Sequence, residues 1–352
     1  MLKSIHLQNF RSYKKTDFIF SNTSTLIVGP NTIGKSNLLE AIFLIATGKS
    51  FRTDKDSQML LLGKEVGRVK AKVDDLELEV VVTNGNVGGV KSQYKKFLIN
   101  GVAKRRVDFS GNLLAVLFSP ADLEIIVDSP SLRRSFLDNV LEQVDREYRL
   151  ASISYIKAIR QRNALLEIAK DTGVRNEKQL EYWDNLVIQN GQIITQKRED
   201  FIDFVNTSKK DIFSFFINYD KSIISRQRLD QYKLEEKLAG VTLVGPHRDD
   251  FSLLMKEKSD QDIKYFGSRG QQRLSILQLK TLEINFIEKS VGKRPLLLLD
   301  DIFSELDSGH IDLVISQIGK QQAIVTTTHK EFVGKKFLKE MEVIELVNGK
   351  KD

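Results

Sequence analysis

The stretch Gly29-Pro30-Asn31-Thr32-Ile33-Gly34-Lys35-Ser36 has the spacing of glycine, lysine and hydroxyl groups that a phosphate-binding loop requires. The apolar run at 26–28 precedes it and the run at 37–46 follows it, which predicts a buried strand, the loop and an amphipathic helix in that order. An accidental match in a surface loop would lack these flanking elements. The stretch therefore predicts a site for a nucleoside triphosphate.

The individual residues of this loop have separate predicted roles. Gly29 and Gly34 let the backbone curl so that its N–H groups point at phosphate oxygens, beside the positive end of the helix. Lys35 is predicted to reach the β and γ phosphates, and the Ser36 hydroxyl to bind Mg²⁺. The remaining residues complete the predicted ATP-binding loop: Pro30, Asn31, Thr32 and Ile33.

The composition is that of an ordinary globular protein, with 41% hydrophobic and 29% charged residues among 352. This length suggests two domains, or one large domain with an insertion. There is no cysteine, which excludes disulfides and cysteine-ligated zinc or iron–sulfur sites. No run is apolar for long enough to cross a bilayer, and the first residues lack a signal-peptide core, so we expect a cytoplasmic protein without membrane partners.

The net charge of +7 is concentrated in the first third of the chain. Residues 1–125 contain 18 basic and 12 acidic side chains, an excess of six. Such an excess is compatible with a surface that binds a polyanion, and equally with charge that keeps a protein soluble. Four cations in this third are the candidate contacts to nucleic-acid phosphates: Lys91, Lys95, Arg105 and Arg106.

Strand and helix patterns divide the chain into two kinds of segment. Alternating strands are predicted at the N-terminus, and an antiparallel meander at 66–100. Helical spacing with many charges fills 131–170 and 176–218, and strand patterns return after 243. We predict an α/β ATPase head with a mixed sheet that contains the meander, together with an inserted helical lobe. The predicted boundaries give residues 1–125 and 240–352 to the head and 126–239 to the lobe.

The last third supplies the predicted partner of the phosphate-binding loop. Four leucines at 296–299 predict a buried parallel strand, and Asp300 and Asp301 follow at its carboxyl end, where ligands bind in such sheets. Asp300 would hold Mg²⁺ next to Ser36, and Asp301 would accept a proton from the attacking water. A strand at 251–255 is expected to pair with 263–266, and helices are expected at 270–288 and 309–318.

A third motif, Ser268-Arg269-Gly270-Gln271, precedes the buried leucine strand at the start of a helix. It resembles the signature motif of ABC-type ATPases, and a Ser-x-Gly-Gln sequence also serves as an ordinary helix N-cap. The resemblance implies that the signature binds the γ-phosphate of a nucleotide held by a second subunit. Residues 304–307 are similar to the D-loop of such ATPases, and His329 lies where they have a switch histidine.

Several motifs together resemble the RecF family, within the SMC-like branch of ABC ATPases, and the resemblance covers essentially the whole chain. The N-terminal motif Asn9-Phe10-Arg11-Ser12-Tyr13 is similar to a strand end at which the family's arginine, here Arg11, approaches the nucleotide. The other similar stretches are 48–53, 118–120, 129–138, 244–250 and 268–271, together with the pair Asp300 and Asp301.

Membership of this family would imply an ATP-dependent homodimer with weak ATPase activity. It would bind DNA at junctions between single- and double-stranded regions. Its implied partners are RecR and RecO, with which it would help to load RecA onto single strands coated by single-strand-binding protein. The residues themselves support ATP binding and a basic first third.

Other classes of function are weaker readings of the same residues. Another SMC-like ABC ATPase, nuclease-coupled or with generic DNA binding, remains an alternative, although a nuclease would need a further acidic metal-binding domain. The RecF-like motifs argue against a transporter ATPase subunit. A scaffold that does not hydrolyse ATP disagrees with the intact set Lys35, Ser36, Asp300 and Asp301.

Overall fold

The computed structural model describes residues 1–255, 261–302, 320–332, 338, 341–347 and 350–351. The strands are β1 (Leu2–Phe10), β2 (Tyr13–Ile19), β3 (Ser24–Val28), β4 (Val66–Val73), β5 (Leu76–Thr83), β6 (Asn86–Val87), β7 (Val90–Lys91), β8 (Lys95–Ile99), β9 (Val102–Lys104), β10 (Ala115–Phe118), β11 (Phe215–Asp220), β12 (Asp250–Met255), β13 (Gln261–Asp262), β14 (Leu296–Asp300), β15 (Ala323–Thr327), β16 (Met341–Val347) and β17 (Lys350–Lys351). The α-helices are α1 (Lys35–Thr47), α2 (Arg106–Phe109), α3 (Glu124–Val127), α4 (Pro130–Val144), α5 (Arg146–Thr172), α6 (Glu177–Thr207), α7 (Arg226–Gln231), α8 (Lys233–Ala239), α9 (Ile263–Phe266) and α10 (Arg269–Val291).

The chain divides into two compact units. The first contains Met1–Asp122 and Glu283–Asp352, and the second contains Leu123–Leu282. The predicted boundary at 239/240 lies inside the second unit, because strand β12 pairs with β11 there. The two strands share a ladder from Phe215 with Met255 to Asp220 with Asp250.

Uniformly apolar runs form the parallel sheet of the first unit. Its strand order is β10-β14-β15-β3-β16-β17, and all neighbours are parallel except β16 and β17. Every residue of β14 and β15 is buried, which is typical of strands covered on both faces. The order brings the carboxyl ends of β3, β14 and β15 to one edge of this sheet.

The predicted meander belongs to a separate antiparallel sheet of the first unit, with the order β2-β1-β4-β5-β8-β9. Its strands alternate buried and accessible residues, as in β4, where Val69, Ala71 and Val73 are buried between accessible neighbours. Such alternation is expected of a sheet with one face on a core and one face in water. The meander prediction is therefore confirmed.

Helix α1 follows the phosphate-binding loop and is buried in the core of the first unit. Its apolar residues from Leu38 to Ala46 are 0–5% exposed. The helix ends at Thr47, and Gly48 accepts the left-handed conformation (φ 73°) that closes the helix by donating to the Leu44 carbonyl. A helix directly after the loop is therefore confirmed. This helix fixes the position of Lys35 and Ser36 at its first turn.

The second unit joins two of the RecF-like stretches through a buried arginine. The Arg198 guanidinium donates to Asp249 Oδ2 at 2.9 Å and to Asp138 Oδ1 at 2.8 Å. Arg133 forms a second two-pronged pair with Asp250, at 2.6 and 3.0 Å. Stretch 129–138 is thus held to stretch 244–250 by the ion pairs of two buried arginines.

Three sequence predictions need comment. Residues 208–218 are not the end of a helix, because α6 ends at Thr207 and β11 begins at Phe215. Residues 263–266 form helix α9 rather than a strand, and β12 pairs with β11 and with Gln261–Asp262 instead. The predicted D-loop at 304–307 and the predicted helix at 309–318 lie outside the described residues.

Candidate nucleotide-binding site

The phosphate-binding loop is closed by contacts that only glycine permits. Gly34 has φ 116°, and a Cβ atom there would lie 2.9 Å from the Tyr13 hydroxyl oxygen. That hydroxyl instead donates to the Gly34 carbonyl at 3.0 Å. At the other end of the loop, the Gly29 amide donates to the Thr327 carbonyl at 3.3 Å, which ties the loop to strand β15. The sequence therefore builds a curled loop at the carboxyl edge of the parallel sheet.

The Lys35 ammonium group is folded back into this loop. Its Nζ donates to the Gly29 carbonyl at 2.7 Å and to the Pro30 carbonyl at 3.0 Å, and the residue is 6% exposed. Burial lowers the pKa of Lys35, and the charges of Asp301 and Asp300 partly oppose that effect. A phosphate in the loop would add negative charge beside this buried cation.

Ser36 and Asp300 meet as the sequence predicts. The Ser36 hydroxyl donates to Asp300 Oδ1 at 2.9 Å, and the Thr326 hydroxyl donates to the same oxygen at 2.9 Å. A hydroxyl oxygen and a carboxylate oxygen at the edge of a phosphate site are the ligand types that Mg²⁺ takes in addition to phosphate oxygens and water. The two residues therefore fit the Mg²⁺ expected with ATP.

Asp301 adopts a conformation that strand residues avoid. Its φ is 48°, in the left-handed region, and its amide donates to the Thr326 carbonyl at 3.2 Å and to the Thr326 hydroxyl at 3.1 Å. Arg11 and Thr32 share the positive φ, with 50° and 69°. Left-handed non-glycine residues are uncommon and cluster at functional sites. Here three of them belong to the predicted nucleotide site.

Arg11 is held by a buried carboxylate that the sequence reasoning did not single out. Its guanidinium donates to both oxygens of Glu40, at 2.7 and 2.6 Å, and to the Gln58 carbonyl at 2.8 Å. Glu40 is 0% exposed and also accepts a hydrogen bond from the Ser50 hydroxyl at 2.5 Å. Within the described part of the chain three of the five guanidinium N–H groups are used, which leaves two for another acceptor.

Two further residues of the site were not predicted, and for Glu40 and Thr326 the sequence carried a signal. Tyr13 closes the loop at Gly34, and Thr326 holds both Asp300 and Asp301. The signal for Glu40 was a charged residue inside an otherwise apolar helix, since a buried carboxylate needs partners. The signal for Thr326 was a polar residue at the carboxyl end of a buried strand, which is the edge where ligands bind in such sheets.

The signature-like motif belongs to the second unit and forms a reciprocal helix cap. The Ser268 amide donates to Gln271 Oε1 at 2.9 Å, and the Gln271 amide donates to the Ser268 hydroxyl at 3.3 Å. Among the described residues outside its own helix backbone, only the Ser268 hydroxyl lies within 4 Å of the place of a Cβ at Gly270, so the surroundings of this glycine are open. Arg269 starts helix α10 and is exposed. The N-cap reading of this motif holds, and it leaves the open glycine available to a second molecule.

His329 follows strand β15 and is well exposed. Its side chain is 66% accessible, and its Nδ1 atom lies 4.0 Å from Glu331 Oε2. The Thr327 hydroxyl donates to the His329 carbonyl at 3.2 Å, which fixes the backbone beside the strand that contacts Gly29. The histidine thus lies at the same edge of the sheet as the loop.

The four basic candidates differ in their freedom to bind a polyanion. Lys95 is 19% accessible and pairs with Asp56 at 2.9 Å and with the Gly48 carbonyl at 3.0 Å. Arg105 is 72% accessible but lies 3.1 Å from Asp108. Lys91 is exposed on the β6–β7 hairpin, and Arg106 is half-buried in helix α2. Lys91 and Arg105 are therefore the more accessible pair.

The parallel sheet, its phosphate-binding loop and the adjacent antiparallel sheet define an ATPase head of the ABC/SMC class. The sequence model of the RecF/RecN/SMC N terminal domain matches residues 1–351. A DNA replication and repair protein RecF from Crocosphaera subtropica is 33% identical over 99% of this chain and 98% of its own length. The protein of the same name from Bacillus thuringiensis is 32% identical over 100% and 98%. The chain belongs to the RecF branch of this family.

Solved structures agree with this assignment. A structure of the recombination mediator protein RecF with ATP in the RecFOR pathway superposes with a TM-score of 0.87 at 30% identity, over 100% of this chain and 96% of that one. An Smc head domain from Pyrococcus yayanosii has a TM-score of 0.53 at 14% identity, which is a likeness of fold. Within the described residues no helix is long and apolar enough to cross a membrane.

Proposed function

We propose that the chain is an ATP-dependent DNA-binding protein of recombinational repair and replication-fork maintenance. The observation that carries the proposal is the meeting of Lys35, Ser36 and Asp300 at one sheet edge in a chain whose relatives are DNA replication and repair proteins. Such an arrangement binds a triphosphate by backbone amides, one buried cation and Mg²⁺. In this proposal ATP binding controls whether the protein binds DNA.

Two copies of the chain would close around two ATP molecules. Each ATP would lie on the loop of one copy, and the exposed turn at Ser268 and Gly270 of the other copy would face its γ-phosphate. Amides at a helix N-terminus favour an anion, and the open surroundings of Gly270 allow close approach of a phosphate. In this arrangement ATP stabilises the dimer, because the nucleotide supplies contacts that neither copy makes alone.

Slow hydrolysis would release the dimer. Asp301 is proposed to accept the proton of the attacking water, with His329 acting beside it as the switch histidine. Arg11 and Arg269 are proposed to contact the phosphates. Mg²⁺, held by Ser36 and Asp300, would neutralise phosphate charge. Asp301 has a left-handed backbone, whereas Asp300 is the last residue of strand β14. We propose that this change of backbone direction lets Asp300 bind Mg²⁺ while Asp301 accepts the proton.

DNA would be contacted mainly through its phosphates. Lys91 and Arg105 offer accessible cations, whereas Lys95 and Arg106 contribute to the same surface from half-buried positions. Phosphate contacts give strong salt dependence and little sequence preference. We propose that the dimer binds junctions of single- and double-stranded DNA and acts with RecR and RecO in loading RecA on strands coated by single-strand-binding protein. Its proposed location is the cytoplasm.

The test compares binding of gapped, blunt duplex and single-stranded DNA with and without ATP. The wild-type chain should bind the gapped substrate best, and only with ATP. Lys35→Met removes the buried cation, which should weaken ATP binding by about 2–3 kcal/mol and abolish the ATP effect on DNA. Lys64→Met, on an exposed turn, is the matched control.

The outcomes separate the proposal from its alternatives. Equal affinity for all three substrates would replace gap recognition with generic DNA binding by an SMC-like ATPase. Unchanged ATP affinity in Lys35→Met would refute the role of the loop itself. Log affinity should also fall linearly with log salt concentration if phosphates dominate the contacts.

A further inference from the structure

A large cavity opens at the edge of the parallel sheet opposite the nucleotide site. Its volume is about 1080 Å³, and it is lined where strands β3, β14 and β16 begin, at Ser24, Leu296 and Met341. The loop and Asp300 follow the other ends of β3 and β14. Five residues of extended strand span roughly 15 Å, so the cavity is distinct from the ATP site.

Buried apolar residues form part of the floor of this cavity, beside polar side chains that include Asn22, Asn112 and Gln321. Val73, Leu113, Leu114, Pro295 and Met341 line it, and each belongs to the first unit. The rim adds Val291, which ends helix α10 and is 40% exposed. Binding sites are commonly concave, with an apolar lining and a few polar groups that orient the ligand. This floor offers such a surface to aliphatic side chains.

The rim of the cavity carries a net positive charge after the charges that cancel in ion pairs are set aside. Asp74 is the one carboxylate among the described lining residues, and the Met1 ammonium group holds it at 2.5 Å. Arg294 is neutralised by Glu288, with contacts of 3.0 Å from both Nε and Nη2. Lys293 and Lys320 make no ion pair or hydrogen bond through their side chains with the described residues. Two positive charges therefore face solvent at the mouth of this cavity.

The lining distinguishes between two classes of anionic ligand. Proteins that bind single-stranded nucleic acid stack its bases on aromatic side chains. The described residues that line this cavity include no aromatic side chain. Aliphatic walls beneath two lysines suit a chain that alternates carboxylates with apolar side chains, because each type of group finds its complement. The chemistry thus favours a peptide over a nucleic acid.

We propose that this cavity docks a short acidic peptide segment of a partner protein, with apolar side chains on the floor and carboxylates at Lys293 and Lys320. The site is independent of ATP binding, because none of its lining residues belongs to the phosphate-binding loop or to Asp300 and Asp301. It would give the chain a protein-binding surface at the edge of the sheet that nucleotide does not occupy.

The test is a titration of the full chain into a fluorescein-labelled octapeptide of alternating aspartate and leucine, followed by fluorescence anisotropy. Saturable binding is expected, and peptides of aspartate with serine or of lysine with leucine should bind at least about tenfold more weakly. The double substitution Lys293→Glu and Lys320→Glu should weaken binding of the first peptide about tenfold. Val291→Ser should weaken it through loss of apolar contact.

The matched control reverses two exposed lysines that do not line the cavity, Lys15→Glu and Lys96→Glu, and should bind the peptide as the wild type does. ATP affinity should be unchanged in both double variants, so failure here is distinguishable from failure of the proposed function. Absence of saturable binding, or equal weakening in both double variants, would overturn the proposal. The proposal would also be overturned if oligodeoxythymidine displaced the peptide and this displacement required Lys293 and Lys320. That result would assign the cavity to nucleic acid.

Discussion

A single buried carboxylate organises the residues around the phosphate-binding loop. Glu40 lies on helix α1 with no accessible surface, and its two oxygens bind the Arg11 guanidinium and the Ser50 hydroxyl. Arg52 lies 3.8 Å from the same carboxylate and donates to Asn37 Oδ1 at 2.6 Å. The segment that follows helix α1 is thereby tied to the helix that carries Lys35, and one charge holds the arrangement together.

Neutralising the Glu40 carboxylate should destabilise the folded protein. Glu40→Gln keeps the volume and leaves the Arg11 guanidinium without its counter-charge, so we expect a loss of about 3 kcal/mol in the free energy of unfolding. Urea unfolding followed by circular dichroism measures it. The control is Glu77→Gln, which removes a half-exposed pair with Lys70 at 2.9 Å and should cost less than about 1 kcal/mol. Equal losses in the two variants would show that Glu40 is not the anchor.

At the scale of elements, the sequence predicts what local patterns determine. The loop, helix α1 and the strand Leu296–Asp300 each have a periodicity or a motif of their own, and they form as predicted. Strand β11 has none, because Phe215, Phe216 and Ile217 are consecutive apolar residues that fit a helix or a strand. Only its ladder with β12, thirty-odd residues along the chain, decides between them. The same pairing places residues 240–255 in the second unit, whereas the sequence pattern assigns them to the head.

The turn that leads into β12 contains a half-buried histidine whose protonation should affect stability. The Tyr155 hydroxyl lies 2.7 Å from His247 Nδ1, and Nε2 lies 3.1 Å from the Thr242 carbonyl. The carbonyl requires Nε2 to donate, so in the neutral ring Nδ1 accepts from the tyrosine hydroxyl. Burial lowers the pKa of His247 to about 4, and the nearby charges of Arg248, Arg134 and Arg162 act in the same direction.

This histidine should make the second unit less stable in mild acid. Its pKa is about 4 when folded and about 6.5 when unfolded, so the unfolded state binds more protons between these values and stability falls as pH falls. The contribution is fully present above pH 6.5, and about 2 kcal/mol of it should be lost between pH 7 and pH 5. Urea unfolding followed by the fluorescence of Trp183, the single tryptophan, reports this unit.

Replacement of the ring should flatten that dependence. His247→Gln retains a donor and an acceptor but cannot take up a proton, so its stability should change less between the two pH values. His6→Gln, in the first unit, is the control and should follow the wild type in the Trp183 signal. An unchanged pH dependence in His247→Gln would exclude the histidine as the cause.

At the scale of the whole molecule, the sequence predicted the components of an ATP site better than their supporting contacts. Lys35, Ser36 and Asp300 meet as the motifs indicate, because each motif places its side chain at a defined end of a strand or helix. Glu40 and Thr326 were not predicted, since their roles arise from packing between elements that are distant in sequence. The role of Ser268 across a dimer depends on a second copy, so neither the sequence nor one chain determines it.

Two substitutions should act in opposite directions on the ATP-dependent dimer. Ser268→Arg places a long charged side chain beside the open Gly270 and should prevent dimerisation while ATP still binds the loop. Asp301→Asn should slow hydrolysis and prolong the dimer, and asparagine tolerates the left-handed backbone at this position. Size-exclusion chromatography with light scattering, before and after ATP is depleted, measures both effects.

The control for Ser268→Arg must separate dimer loss from loss of a helix cap, which costs about 1 kcal/mol. Ser225→Arg serves this purpose, because the Ser225 hydroxyl caps helix α7 by accepting from the Arg228 amide at 3.2 Å in the same unit. It should dimerise with ATP as the wild type does. If Ser268→Arg also dimerises normally, the signature does not reach across the dimer; if Asp301→Asn turns over ATP at the wild-type rate, Asp301 is not the base. If Ser268→Arg does not dimerise and Asp301→Asn remains a dimer after ATP is depleted, Ser268 acts when the dimer forms and Asp301 acts when it is released.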